Sequence, residues 1–323
     1  MRPFPVPGLL TALALLAAGS ASSQDDADAF RTRRMPYEAF DRLPATHVAI
    51  GKATFDVAFA PGALELPPSV IIEWIATSAR TVAAYYSRFP VDHVKVLVVP
   101  VDGAGVRSGT AFAYRGSAVR IMLGRAVTEK QLADDWIVVH ELVHLAFPSV
   151  ATEHHWIEEG LATYIESIAR VQAGRLSAEQ IWRDFVRSMP KGLPAADDKG
   201  LDHTPTWGRT YWGGAMFCLL ADVQIREQTH NRLGLQDALR AIVLAGGNME
   251  QDWPLERALH TADAPIGSPV LENLYDQMKA TPVAVDLPQL WQRLGVEPRG
   301  DDVVFDDSAP LAAVRRAITA AHD

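Results

Sequence analysis

Apolar and polar positions follow two regimes along this chain. Between Val48 and Val101 short apolar runs alternate with polar punctuation. Val48-Ala49-Ile50 and Thr54-Phe55-Asp56-Val57-Ala58-Phe59 read as strands, followed by a turn at Pro61-Gly62. Pro67-Pro68 then opens an amphipathic helix from about Ser69 to Ser87, and Val94 to Val99 reads as a strand closed by Pro100. Ala118 to Leu123 adds another strand, and with Gly109-Thr110-Ala111-Phe112 just before it forms a candidate sheet edge. From Glu129 onward the periodicity is helical. Thr128, with Gln131 three residues on, is a capping-box start. Leu132, Trp136, Ile137, Val139, Val143 and Phe147 continue at helical spacing toward a stop at Pro148. Ser177 caps a further helix, another runs from Tyr211 to about Glu227, and one near Leu235–Leu244 ends at Gly246-Gly247. Leu311 to Ala320 closes the chain with an amphipathic helix. The class expected from this order is α+β: a small mixed sheet followed by a mainly helical lobe.

Composition narrows the setting. The N-terminus places Arg2 before an apolar run from Leu9 to Ala18 and the small residues Gly19 to Ser23. That reads as a secretory signal peptide cleaved near Ala21 or Ser23, because the apolar run is about half of what spans a bilayer. The product is expected to be exported, periplasmic or extracellular, with no stable membrane insertion afterwards. The single cysteine, Cys218, lies in an apolar run and reads as a core thiol. The formal charge of -9 and the lack of a basic cluster argue against nucleic acid as a partner.

Chemistry concentrates in the first long helical stretch, where His140-Glu141-Leu142-Val143-His144 spells HExxH. Residues four apart share one helix face, so both imidazoles can reach a single metal ion. Glu141, one step round, can take the proton of a water activated by that ion. Zinc is the expected metal from this ligand type, as a single ion. A third protein ligand is needed. The longer metzincin pattern would require glycine at Phe147 and histidine at Val150, so it is excluded. The other common source is a glutamate on the next helix, one loop later, and Trp156-Ile157-Glu158-Glu159-Gly160-Leu161-Ala162-Thr163-Tyr164 offers two. His154 and His155, just before this segment, are read as loop histidines without a role.

Together, HELVH and WIEEGLATY resemble the gluzincin signature of the aminopeptidase N and glycyl aminopeptidase families. Aligned on Trp156 and Gly160, the resemblance implies Glu159 as the third metal ligand and leaves Glu158 beside it. Tyr211-Trp212-Gly213-Gly214, leading into Leu219-Leu220-Ala221-Asp222-Val223-Gln224-Ile225-Arg226, is similar to a third glycyl aminopeptidase block, with Gly213 in place of its lysine. That similarity implies that Tyr211 helps to stabilise the oxyanion. No G-A-M-E-N element occurs. The fold implied is a thermolysin-like zincin catalytic domain, with the sheet over the active-site helix and an edge strand able to pair with an extended peptide.

The expected organisation is a signal peptide over 1–23, an N-terminal α/β lobe over 24–128, a helical zinc-binding lobe over 129–250, and a mainly helical segment over 251–323 packed on it. The expected activity is that of a zinc metallopeptidase acting on a peptide or protein substrate. A catalytically degenerate, zinc-stabilised peptide-binding module is the alternative. Residues 190–208, rich in Pro, Gly and Asp and holding His203 and Trp207, either border the cleft or merely join two helices.

Overall fold

The computed structural model describes Phe30 and residues 32–321, so the leader expected over 1–23 lies outside the described residues. After a short helix α1 (Tyr37–Phe40), the chain builds β1 (Ala45–Ile50), β2 (Ala53–Phe59), helix α2 (Pro68–Tyr86), then β3 (His93–Val101), β4 (Val106–Phe112) and β5 (Ala118–Gly124). These five strands form one mixed sheet in the order β1-β2-β3-β5-β4. The pairs β2–β3 and β3–β5 are parallel, and both outer pairs are antiparallel. The central strands are apolar on both faces, which suits strands covered on both sides. Val94, Val96 and Val98 face α2 and the helical lobe, while Leu97 and Val99 pack beneath Phe30, Met35, Tyr37 and Phe40.

The helical part follows with α3 (Glu129–Asp134), α4 (Ile137–His144), α5 (His155–Gln172), α6 (Ala178–Ser188), a π-helical segment (Gly208–Gly213) and α7 (Gly214–Thr229). The chain then continues through α8 (Leu235–Leu244), α9 (Leu255–Asp263), α10 (Val270–Met278), α11 (Leu287–Leu294), the hairpin β6 (Val296–Arg299) and β7 (Asp302–Phe305), and α12 (Ala312–Thr319). The α+β class, with a small mixed sheet and a helical lobe, is therefore the observed one. Among the described residues no helix is long and apolar enough to cross a membrane. Cys218 is buried in α7.

Three details depart from the sequence reading. The helix opened by the Thr128–Gln131 capping box breaks after Asp134 instead of running on to Phe147. Asp135 is extended, and its carboxylate accepts the backbone N–H groups of Ile137 at 3.2 Å and Val138 at 3.1 Å. It thus caps a second, separate helix. Of the two segments read together as a sheet edge, only β4 lies at one, because the more apolar β5 is taken up between β3 and β4. The β6–β7 hairpin, turned at Gly300 with φ +58°, adds two short strands to a tail expected to be mainly helical.

One helix contact sets the frame of the lobe. An ideal Cβ on Gly160 of α5 would lie 2.3 Å from the carbonyl carbon of Gly214, and one on Gly214 would lie 2.2 Å from the Trp156 oxygen. The backbones therefore touch, and only hydrogen fits at either position. We expect Gly160→Ala to lower the unfolding free energy by about 1–3 kcal/mol through overpacking, read as a reduced urea midpoint with an unchanged slope. An unchanged midpoint would mean the crossing is loose.

Candidate metal centre

Helix α4 presents His140 and His144 one turn apart, their rings 4.9 Å between centroids and crossed at 82°. Glu159, in the second turn of α5, meets both. Its Oε2 lies 3.2 Å from His140 Nε2 and 3.6 Å from His144 Nε2. Donors bound at ordinary Zn–N and Zn–O lengths on a tetrahedron stand roughly 3.3 Å apart. The three donor atoms here all lie within 4.8 Å of one another. Two imidazoles and a carboxylate at these separations fit a divalent ion of the zinc type.

The electrostatics of the cluster follow from burial and from each other. Burial alone would raise the Glu159 carboxyl, but hydrogen bonds with His140, His144 and His155 hold it well below the usual carboxylate range. Burial is also the main influence on His140 and lowers its pKa. At His144 the same burial is outweighed by the Glu159 contact and the nearby Glu141 charge, so its pKa is raised.

Glu141 points into a cavity of about 330 Å³ that the three donors also line. Its carboxyl is raised chiefly by burial, against the His144 charge and a hydrogen bond from the Ala111 backbone N–H. Strand β4 reaches it by way of Gly109. An ideal Cβ there would be 2.4 Å from Glu141 Cγ and 2.9 Å from Ile137 Cγ2, so glycine lets the strand lie directly on α4. Gly109, Thr110 and Ala111 form one side of the cavity, and His155, Glu158 and Met249 contribute elsewhere.

Tyr211 lies in the same cavity, carried by the π-helical turn that precedes α7. Such turns are rare and frequent at functional sites. The phenol ring stacks on His140, with centroids 6.3 Å apart and planes within 16°, and Trp207 stacks on its own ring at 5.9 Å. Its pKa is pushed up to about 12 by burial first, then by the charge of and hydrogen bond to Glu159, and by Glu141. The phenol therefore keeps its proton near neutral pH.

The 190–208 segment meets this site where Trp207 stacks on Tyr211, and it is fastened to the elements around it. Arg209, in the π turn, forms a buried ion pair with Asp198 at 2.7 Å and donates to the Gly192 carbonyl at 2.6 Å. Asp202 accepts from His154 Nδ1 at 3.0 Å, Trp156 Nε1 at 2.7 Å and Tyr275 Oη at 2.9 Å, tying the loop to the start of α5.

The structure thus brings His140, Glu141, His144, Glu159 and Tyr211 together in one cavity. Glu158 lies at its margin, with Oε2 2.9 Å from His155 Nδ1. His155 is not the loop residue that the sequence suggests. It begins α5, and its Nε2 is 3.4 Å from Glu159 Oε1. Hydrogen bonds to Glu158 and Glu159 raise its pKa to about 10. Its spacing four residues before Glu159 was the available signal. Met249, about a hundred residues from His140, gave none.

No protein-family model matches the chain, and no curated protein does. Solved structures match in fold. An aminopeptidase N family protein from Idiomarina loihiensis superposes with a TM-score of 0.59 at 14% identity, over 79% of this chain and 49% of that one. An M1 zinc metallopeptidase from Deinococcus radiodurans, a point mutant bound to a Tyr-Ser-Ala substrate, gives 0.51 at 15% identity, over 76% and 52%. A further structure of an M1 zinc metallopeptidase from Deinococcus radiodurans gives 0.50 at 16% identity, over 76% and 52%. The chain shares the fold of these solved structures. It spans about half the length of the solved structures it matches.

Two measurements probe the centre. A chelator should lower the unfolding temperature of zinc-loaded protein, since zinc at a thousandfold over its Kd adds about 4 kcal/mol to the folded state. An unchanged transition would speak against a resident ion. Asp198→Ala should cost roughly 3–5 kcal/mol by leaving Arg209 buried and unpaired, and a loss below about 1 kcal/mol would show that water reaches the pair.

Proposed function

We propose that the protein is a zinc-dependent peptidase of gluzincin type, related to the catalytic part of the aminopeptidase N and glycyl aminopeptidase families, and exported by its N-terminal leader. The observation that carries this reading is the meeting of three donors, an acid–base carboxyl and a protonated phenol in a single cavity beside the last strand of the sheet. The fold of the zinc metallopeptidases matched above supports it.

His140, His144 and Glu159 would hold the ion. The chemistry a divalent zinc supplies at such a three-ligand site is Lewis acidity toward a carbonyl and toward water. Strand β4, unpaired on one side among the described residues, offers backbone groups along which an extended peptide can align. Glu141 takes the proton of the attacking water and returns it to the leaving amine, as general base and then general acid. The Tyr211 phenol donates a hydrogen bond where the carbonyl oxygen becomes negative. The result is hydrolysis of a peptide bond, with water as acyl acceptor.

Zinc-loaded protein incubated with a mixed peptide library should cleave it. Glu141→Gln should retain zinc while lowering kcat by roughly 10²–10⁴-fold, the usual worth of a positioned acid–base group. Tyr211→Phe should lower kcat by roughly 10²–10³-fold, as loss of one oxyanion donor does, with less change in KM. Retained zinc without any cleavage by the wild type, or full activity in Glu141→Gln, would overturn the reading.

A further inference from the structure

A second cavity, of about 520 Å³, adjoins the metal centre. The two cavities share the His140 imidazole and the Tyr211 ring as walls, and no residue of β4 lines the second. Its rim is formed by Trp136, Trp207 and Trp212. Only four large hydrophobic side chains are exposed among the described residues, and two of them stand here: Trp136 at 48% and Trp207 at 60%. Indoles left in water beside a cleft point to a ligand that covers them.

These rings are held against the centre itself. Trp136 meets His140 edge-on, with centroids 5.5 Å apart and planes at 86°, and Trp207 stacks on Tyr211 at 27°. A continuous aromatic wall therefore runs from the candidate ligand His140 into the second cavity. Deeper in, Glu166 and Arg170 of α5 are buried and paired at 3.3 Å. Asp184 and Lys191 also line it, and the Lys191 ammonium lies 6.0 Å from the Trp207 centroid and 5.7 Å from that of Trp212.

Charge selects the occupant. A cationic side chain would meet Lys191 and Arg170, and an anionic one Glu166 and Asp184, so neither sign is favoured. An uncharged ring meets three indoles and loses no hydration of a charge.

We propose that this cavity is a specificity subsite for a large uncharged aromatic side chain, Phe, Tyr or Trp, on the peptide residue next to the bond held at the metal centre. The proposal rests on the peptidase reading for the identity of the ligand as a peptide. Filling such a site in place of alanine is worth about 10- to 100-fold in binding or in kcat/KM.

The test separates binding from turnover. Zinc-loaded Glu141→Gln protein is titrated calorimetrically with Gly-Ala-Ala-Ala-Ala-Gly and with versions carrying Phe, Trp, Lys or Glu at each alanine in turn. The same peptides are given to the wild type and kcat/KM is measured. At one position the aromatic peptides should bind, and be cleaved, about 10- to 100-fold better than the parent, with no gain for Lys or Glu. Ser167→Trp, which puts a large side chain on the cavity wall, should bring that ratio close to one. Trp136→Ala, at an exposed position that leaves the core intact, should reduce it several-fold. Equal handling of alanine and aromatic peptides by the wild type overturns the subsite, even if all are cleaved. A ratio unmoved in folded Ser167→Trp and in Trp136→Ala overturns it as well. Aromatic preference in binding with no cleavage of any peptide keeps the subsite and overturns the peptidase reading instead.

Discussion

The contact between Gly160 and Gly214 is the constraint on which the rest of the site depends. Glu159 immediately precedes the first of these glycines, and the π turn that carries Tyr211 ends immediately before the second. Backbone against backbone, the two elements leave no room for a Cβ at either glycine. That proximity places the carboxylate of the third donor within reach of the phenol. Glycine within a helix costs about 1 kcal/mol relative to alanine, so the gain has to come from the approach it allows. Gly109 plays the matching part on the other side, letting β4 lie on Glu141 and Ile137. The cleft is thus bounded by two close approaches, one between helices and one between strand and helix.

Position within this frame is kept by buried polar fasteners. Asp198 and Arg209 hold the π turn to the loop before it, and Asp202 holds that loop to α5. Asp222, paired with Arg226 at 2.8 Å and accepting from Tyr164, secures α5 to α7 further along. Buried ion pairs of this kind add little net stability over apolar packing, because desolvation offsets their attraction. What they do supply is direction: each fixes where an element can go, and here each fixes an element that carries or neighbours a site residue.

The parts legible in the sequence were those with local causes. HExxH was readable because helical geometry alone puts two imidazoles on one face, and the Thr128 and Ser177 capping boxes formed as their four-residue patterns suggest. The central strands were readable from their apolar runs. Periodicity failed at Asp135, where Trp136 and Ile137 kept the apolar spacing while a carboxylate ended one helix and capped the next. The choice of Glu159 over Glu158 came from resemblance to a family pattern. Its geometric basis, the turn of α5 that aims Oε2 at both imidazoles, exists only once α4 and α5 are packed. Met249 and the tryptophan-rimmed cavity were not legible, since tertiary packing brings them to the centre from distant segments, whereas His155 was signalled only by its spacing four residues before Glu159.

Everything proposed for this cavity requires that His140, His144 and Glu159 hold a metal ion. The most direct measurement is the zinc content of dialysed protein, wild type beside Glu159→Ala and His144→Ala, by atomic emission. One zinc per chain in the wild type, with most of it lost from both variants, is the result predicted. A wild type that holds no zinc even after loading, or variants that keep a full equivalent, would contradict it.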